Sequence, residues 1–211
     1  MLKIFFISAL FSPLSLFSAE KVGKDIQVVS QDAHKKSEPE NIPDIRIGSS
    51  EAPIKIIEYS SLTCHHCAHF HKTVLPVLMK KYIRTGKMQL VFRHFPIDEY
   101  ALKASTLVAA SIPLRQFSLV NRLFETQDRW IGSHCLDALA HITGETLETC
   151  QETVNNKALS DRVLMTRLRA EKEMNIDGTP TFIINGRVID YAPELDEIET
   201  LIKPYLDAMK S

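Results

Sequence analysis

The sequence is short of the features that mark several large protein classes. Its 211 residues carry 25 Lys and Arg against 26 Asp and Glu, a formal net charge of −1. It has no basic stripe or polybasic run, so the electrostatic footprint of nucleic-acid binding is missing. It has no internal repeat and no low-complexity tract, which excludes solenoids and repeat arrays. Its one extended apolar run, at the N-terminus, is too short and too interrupted for a comfortable membrane span. What remains is an ordinary globular balance, 45% hydrophobic and 24% charged, enough for one domain with a real core and an insertion.

The N-terminal stretch "MLKIFFISALFSPLSLFSA" has a single positive charge at Lys3 and an apolar run broken at Pro13. It reads as a secretory signal peptide over residues 1–19. Ala19 is small enough to precede a cleavage point, while Phe17 is bulky where such sites prefer a small residue; an uncleaved N-terminal anchor is the alternative. Either way the body of the chain is expected in an exported compartment where disulfides form. Residues 20–44 are polar and read as an arm, with room for an oligomerisation element.

Order is expected from Ile45. "IKIIEYS" (54–60) is β-branched and reads as a buried strand. Thr63 is placed to cap a helix opening at Cys64 and running towards Arg84, with a kink at Pro76 and a stop at Gly86. "MQLVFRHF" (88–95) is the next strand. Residues 98–175 are helical in character, and "DGTPTFIINGRVID" (177–190) is a hairpin with an Asn-Gly turn, followed by a last helix. This order predicts an α/β fold, a small mixed sheet covered by helices, with the helical block inserted between its two halves.

Four cysteines lie in the exported part: Cys64, Cys67, Cys135 and Cys150. Four allow three pairings; the short offset of the first two favours Cys64–Cys67 with Cys135–Cys150. Cys64 and Cys67 sit in "CHHCAHFH" (64–71). A helix N-terminus has unpaired N–H groups and a partial positive charge, so the thiol of Cys64 gains most there on ionising. Cys67, one turn further in, is expected to be more buried and less acidic. An imidazole from His65 or His66 beside Cys64 would favour its thiolate further. One pKa unit is about 1.36 kcal/mol, and about 1.4 kcal/mol is about 30 mV for a two-electron couple. A single neighbour can therefore move the redox poise. Thr179-Pro180 precedes a strand, where a cis proline could present backbone to an extended substrate. Glu58, six residues before Cys64, is either a partly buried acid able to relay the proton of Cys67 or an exposed edge residue; the pattern alone leaves both open.

"IIEYSSLTCHHCAHFHKTVLPVL", "VFRHFPID" and "DGTPTFIINGR" together resemble the DsbA-like thiol–disulfide oxidoreductases, over roughly residues 45–210. The resemblance implies a thioredoxin-like fold at 45–97 and 176–211, with a helical domain inserted at 98–175. It implies a periplasmic enzyme without a bound cofactor, with Cys64 as nucleophile and Cys67 as resolving cysteine. His66 corresponds to the histidine before the resolving cysteine, Thr179 and Pro180 to the cis-proline pair, and Glu58 to the buried acid. Well-known members carry proline where this chain has His65, which bears on redox potential and substrate range. The implied partners are cysteine-containing exported proteins, and a membrane protein that reoxidises the Cys64–Cys67 pair.

Cys135 and Cys150 flank Gly144, and a bridge there would staple a helical hairpin, worth about 3 kcal/mol for a loop near 15 residues. His69 and His71 are expected on the surface of the Cys64 helix or packed beside it, and His94, His134 and His141 carry no pattern. Other functions to weigh are a disulfide isomerase or reductase of the same fold, a zinc or copper protein using Cys64, Cys67 and His71, and a non-enzymatic chaperone module. Structural zinc sites usually draw ligands from two separated segments, and no second ligand pair is evident.

Overall fold

The computed structural model describes residues 41–209; the expected signal segment (1–19) and most of the expected arm (20–44) lie outside them. Five strands form one mixed sheet: β1 (Ile45–Ile47), β2 (Ile54–Ser60), β3 (Met88–His94), β4 (Thr181–Ile184) and β5 (Arg187–Ile189). Their order is β1-β3-β2-β4-β5. The β2–β3 pair is parallel and the other pairs are antiparallel. β2 occupies the β-branched run, and successive side chains along it point to opposite faces. Ile54 and Ile56 pack on one face with Phe182 and Ile184 of β4. Ile57 and Tyr59 pack on the other with Ile183.

The helix after β2 is not regular. α1 (His65–His69) passes into a π-helical turn (Phe70–Val74), then α2 (Leu75–Leu78), then a second π-helical turn (Met79–Ile83). Pro76, which has no N–H to give, falls in the first turn of α2. Just before it, the Leu75 N–H reaches five residues back to the Phe70 carbonyl. The helix thus accommodates the proline by widening. Gly86, at φ 74°, follows the second wide turn, its N–H on the Ile83 carbonyl at 3.1 Å.

Between β3 and β4 lie six helices: α3 (Glu99–Ala110), α4 (Pro113–Glu125), α5 (Gln127–Trp130), α6 (Cys135–Thr143), α7 (Leu147–Val154) and α8 (Lys157–Met174). Ala170 of α8 packs with Tyr59, Phe95 and Ile183. α9 (Leu195–Ala208) closes the chain and buries Ile198 and Ile202 beside Phe70, Leu75 and Leu78. Leu119, Val120, Leu123 and Phe124 of α4 join Leu62, Cys64, Cys67 and Phe92 in a third buried cluster, which also holds Trp130. The Trp130 indole N–H donates to the Leu123 carbonyl at 2.9 Å.

β1 was not foreseen: "IRI" is too short to show a period, and it pairs at the sheet edge with Phe92, Val91 and Leu90. Of the two expectations for Cys135 and Cys150, a bridge or a pair of buried thiols, the structure carries the second. Both are buried thiols with separate neighbours, Cys150 beside the Thr143 hydroxyl at 3.6 Å and Cys135 near Lys103, Glu99 and Asp98 of the α3 start.

Candidate active site

The strand-to-helix turn at Leu62–Cys64 sets the geometry of the site. Cys64, not Thr63, is the N-cap of α1: its backbone is extended (φ −78°, ψ 122°), and its sulfur accepts from the Cys67 N–H at 3.4 Å. Thr63 faces the other way and donates its hydroxyl to Asp98 at 2.6 Å. A cap normally supplied by an oxygen is here supplied by the nucleophile, so the unpaired N–H groups of the first turn act directly on the reactive sulfur.

Cys64 and Cys67 are both buried, at 8% and 0% exposure. Their acidities diverge. The Cys67 thiol hydrogen-bonding to it, followed by the Cys67 N–H, Thr179 and the His66 backbone, brings the Cys64 thiol from its ordinary 9.0 down to about 5, against the cost of burial. Cys67 goes the other way: burial raises it most, then the hydrogen bond and the charge of Cys64, then the charge of Glu58. Near pH 7 the pair therefore holds one thiolate, on Cys64, and one thiol, on Cys67. The imidazoles of His65 and His66 are exposed, and His66 acts on Cys64 through its backbone.

Across the cleft, the Thr179-Pro180 peptide bond is cis, and the Thr179 carbonyl lies 3.4 Å from the Cys64 sulfur. The loop that leads into β4, the strand beside β2, therefore closes directly over the nucleophile. From the helical side, the Gln127 side-chain amide of α5 donates to the Leu62 and Cys64 carbonyls at 2.9 and 3.1 Å.

The chain is similar to known proteins over most of its length. A family model described as thioredoxin matches residues 40–204. The crystal structure of Wolbachia pipientis alpha-DsbA1 superposes with a TM-score of 0.69 at 30% identity, covering 76% of this chain and 89% of that one. The chain is a DsbA-like member of the thioredoxin family. A putative protein-disulfide oxidoreductase of Rickettsia conorii is 30% identical over 173 residues, 79% of this chain but only 62% of that protein, so the chain spans less than two thirds of its length. Disulfide bond formation protein D of Bacillus subtilis is 27% identical over 169 residues, 76% of each.

Within this DsbA-like site, Glu58 is wholly buried, not an edge residue. Its strand neighbours are Phe92 on β3 and Phe182 on β4. Its Oε2 lies 3.0 Å from His71 Nε2, and His71 Nδ1 lies 2.8 Å from Asn121 Oδ1 of α4. Of the two expected placements, packed and surface, His71 takes the first, as a core residue, and His69 the second, exposed and paired with Glu194 at 3.4 Å. The signal for His71 was in the spacing. It stands four residues after Cys67, and i and i+4 share a helix face, so a buried Cys67 places His71 inward too. Asn121 gave no signal, because its partner lies 50 residues away. With both ring nitrogens of His71 engaged, the metal set of Cys64, Cys67 and His71 does not assemble, and among the described residues no three Cys, His, Asp or Glu side chains converge as ligands.

Proposed function

We propose that this protein is an exported thiol–disulfide oxidoreductase that introduces disulfides into other exported proteins through Cys64 and Cys67. The observation that carries the reading is the Cys64 sulfur as its own helix cap, accepting the Cys67 N–H beside the cis Thr179-Pro180 bond. A thiolate stabilised in the folded protein makes the reduced form favourable, and hence the disulfide a strong oxidant. A substrate thiolate attacks Cys64, the Cys64–Cys67 bond breaks, and Cys67 leaves with the electron pair. Glu58, buried beside Cys67, is the group able to manage the proton that Cys67 then needs. A second substrate thiolate attacks the mixed disulfide at the substrate sulfur, releasing the oxidised substrate and leaving both enzyme cysteines reduced. A membrane oxidant of the disulfide or quinone class returns them to the disulfide. Thr179 and Pro180 line the path of an extended substrate, and the partners are cysteine-containing exported proteins.

The test is the equilibrium of the Cys64–Cys67 pair with glutathione, together with oxidation of a reduced two-cysteine peptide. An oxidising equilibrium and fast transfer, abolished in Cys64→Ala, are expected. A pair more reducing than glutathione would replace the oxidase reading with that of an isomerase or reductase.

A further inference from the structure

The exchange reaction leaves an imidazole unexplained. The His71 side chain is 1% exposed and the Glu58 side chain 0%. The imidazole lies among the rings of Phe124, Phe70, Phe92 and Phe117, with centroids 4.3, 5.8, 5.9 and 6.5 Å away. A histidine needed only for packing would be cheaper as an apolar residue, because every buried polar atom must be satisfied. Here both nitrogens are satisfied, by one partner from the sheet and one from the helical insertion.

The chemistry of those two partners fixes the protons. Asn121 Oδ1 can only accept, so His71 Nδ1 carries a hydrogen and donates it. Nε2 is left to face Glu58 Oε2. Two arrangements satisfy that contact: a protonated Glu58 donating to a neutral imidazole, or an imidazolium donating to Glu58. The contact holds a proton between Oε2 and Nε2. The other oxygen of Glu58, Oε1, is buried with no hydrogen-bond partner. Glu58 stands near enough to Cys67 for an ionised carboxylate there to push that thiol up, a cost that a protonated Glu58 avoids. An orphaned carboxyl oxygen in a core calls for an explanation, and a proton passing to and from Cys67 supplies one.

We propose that His71 is a positioning residue for the resolving cysteine: Glu58 links Cys67 to His71, and the imidazole takes the proton whenever Cys67 is a thiolate. The reading rests on the exchange reaction proposed above. In one state Cys67 is a thiol, Glu58 carries its hydrogen on Oε2, and His71 is neutral. In the other, Cys67 has given its proton to Oε1 by way of one bridging water molecule, Oε2 has passed its own to Nε2, and a thiolate faces an imidazolium across a neutral carboxyl. Protons and charge balance, the trio being neutral in both states, so no net charge is buried at either end. When attack on Cys64 releases Cys67 as a thiolate, the proton that the substrate thiol gave up to solvent on becoming a thiolate returns through the same path, and Cys67 ends as a thiol. Asn121 sets the direction by reserving Nδ1. The charged and titratable groups around this path are Glu58 from β2 and Cys64 and Cys67 from the start of α1; α4 contributes the neutral Asn121 and aromatic rings, and β3 contributes Phe92.

The test uses the full chain carrying a glutathione mixed disulfide on Cys64, with release by Cys67 followed by stopped flow across pH, beside the alkylation rate of Cys64. His71→Gln is expected to slow release about tenfold, short of the ~10²-fold of a direct acid–base group, and to flatten its pH profile, with Cys64 alkylation unchanged. Asn121→Leu, which keeps the imidazole and frees Nδ1, is expected to give a smaller slowing of the same kind. Release by His71→Gln at the wild-type rate and profile overturns the proposal, as does equal slowing of release and alkylation. Imidazole nitrogen resonances of the wild type give a second decision that needs no variant. Nδ1 protonated throughout, with Nε2 the nitrogen that changes, is expected; a bare Nδ1 overturns the assignment. A wild type that forms no mixed disulfide would instead defeat the exchange reading, and the tautomer would still be measurable in it.

Discussion

Cys64 and Cys67 differ by three positions and by their response to the same turn of helix. The first collects N–H donors and becomes acidic; the second is sealed in and resists ionising. Alkylation of the reduced protein is accordingly expected to follow a single midpoint near pH 5, lost in Cys64→Ser, with Cys67 silent over that range. A midpoint close to the ordinary 9.0 would remove the basis for an oxidising pair. Stability follows with a definite sign. The folded pKa of Cys64 is depressed, so its contribution to the reduced protein is absent below about pH 5, grows as pH rises towards 9 and is lost again as pH falls. Cys67, shifted upward, acts only above that window. The melting temperature of the reduced form is expected to gain on that of the disulfide form between pH 5 and 9, and parallel curves would contradict this. At this scale the sequence was a good guide to the sulfurs and a poor one to their surroundings. Cys64 and Cys67 announce themselves by type and spacing. The burial of His71 and its contact with Asn121 depend on a helix from a distant segment, which no local pattern encodes.

Elements were legible where period or turn chemistry was strong. β2 and the Asn185-Gly186 hairpin, with φ of 45° and 89° at its two turn residues, fall where the residues place them. The helix after β2 was foreseen, but its two wide turns were not, since a proline signals a disturbance without saying which form it takes. β1 escaped because three residues carry no period. The turn that leaves it gives a sharp prediction. Gly48 has φ 96°, and a Cβ there would stand 2.5 Å from the Met88 carbonyl, whereas at Gly86, with φ 74°, a Cβ meets nothing within 4 Å. Gly48→Ala is expected to cost about 2–4 kcal/mol, positive φ plus overpacking, and Gly86→Ala about 1–2 kcal/mol. Urea midpoints decide it: equal losses would mean that the Met88 backbone yields freely.

For the molecule as a whole, the helical segment does more than sit on a sheet. It reaches the site at three points: Asp98 to Thr63, Gln127 to the Leu62 and Cys64 carbonyls, and Asn121 to His71. Gln127→Leu is expected to destabilise by about 1–3 kcal/mol by leaving a buried carbonyl unpaired, a fall of a few degrees in melting temperature, and to raise the alkylation midpoint of Cys64 by loosening its turn. A lower melting temperature with an unmoved midpoint would mean that α5 braces the fold without shaping the nucleophile. Trp130 offers a way to watch this junction. It is the chain's single tryptophan, buried one turn beyond Gln127 in the cluster that also holds Cys64. Ultraviolet emission is thus a resident gauge of one seam, quenched or shifted when α5 parts from the active-site turn and blind to loosening at β5, so a denaturation curve followed by light and one followed by circular dichroism need not coincide.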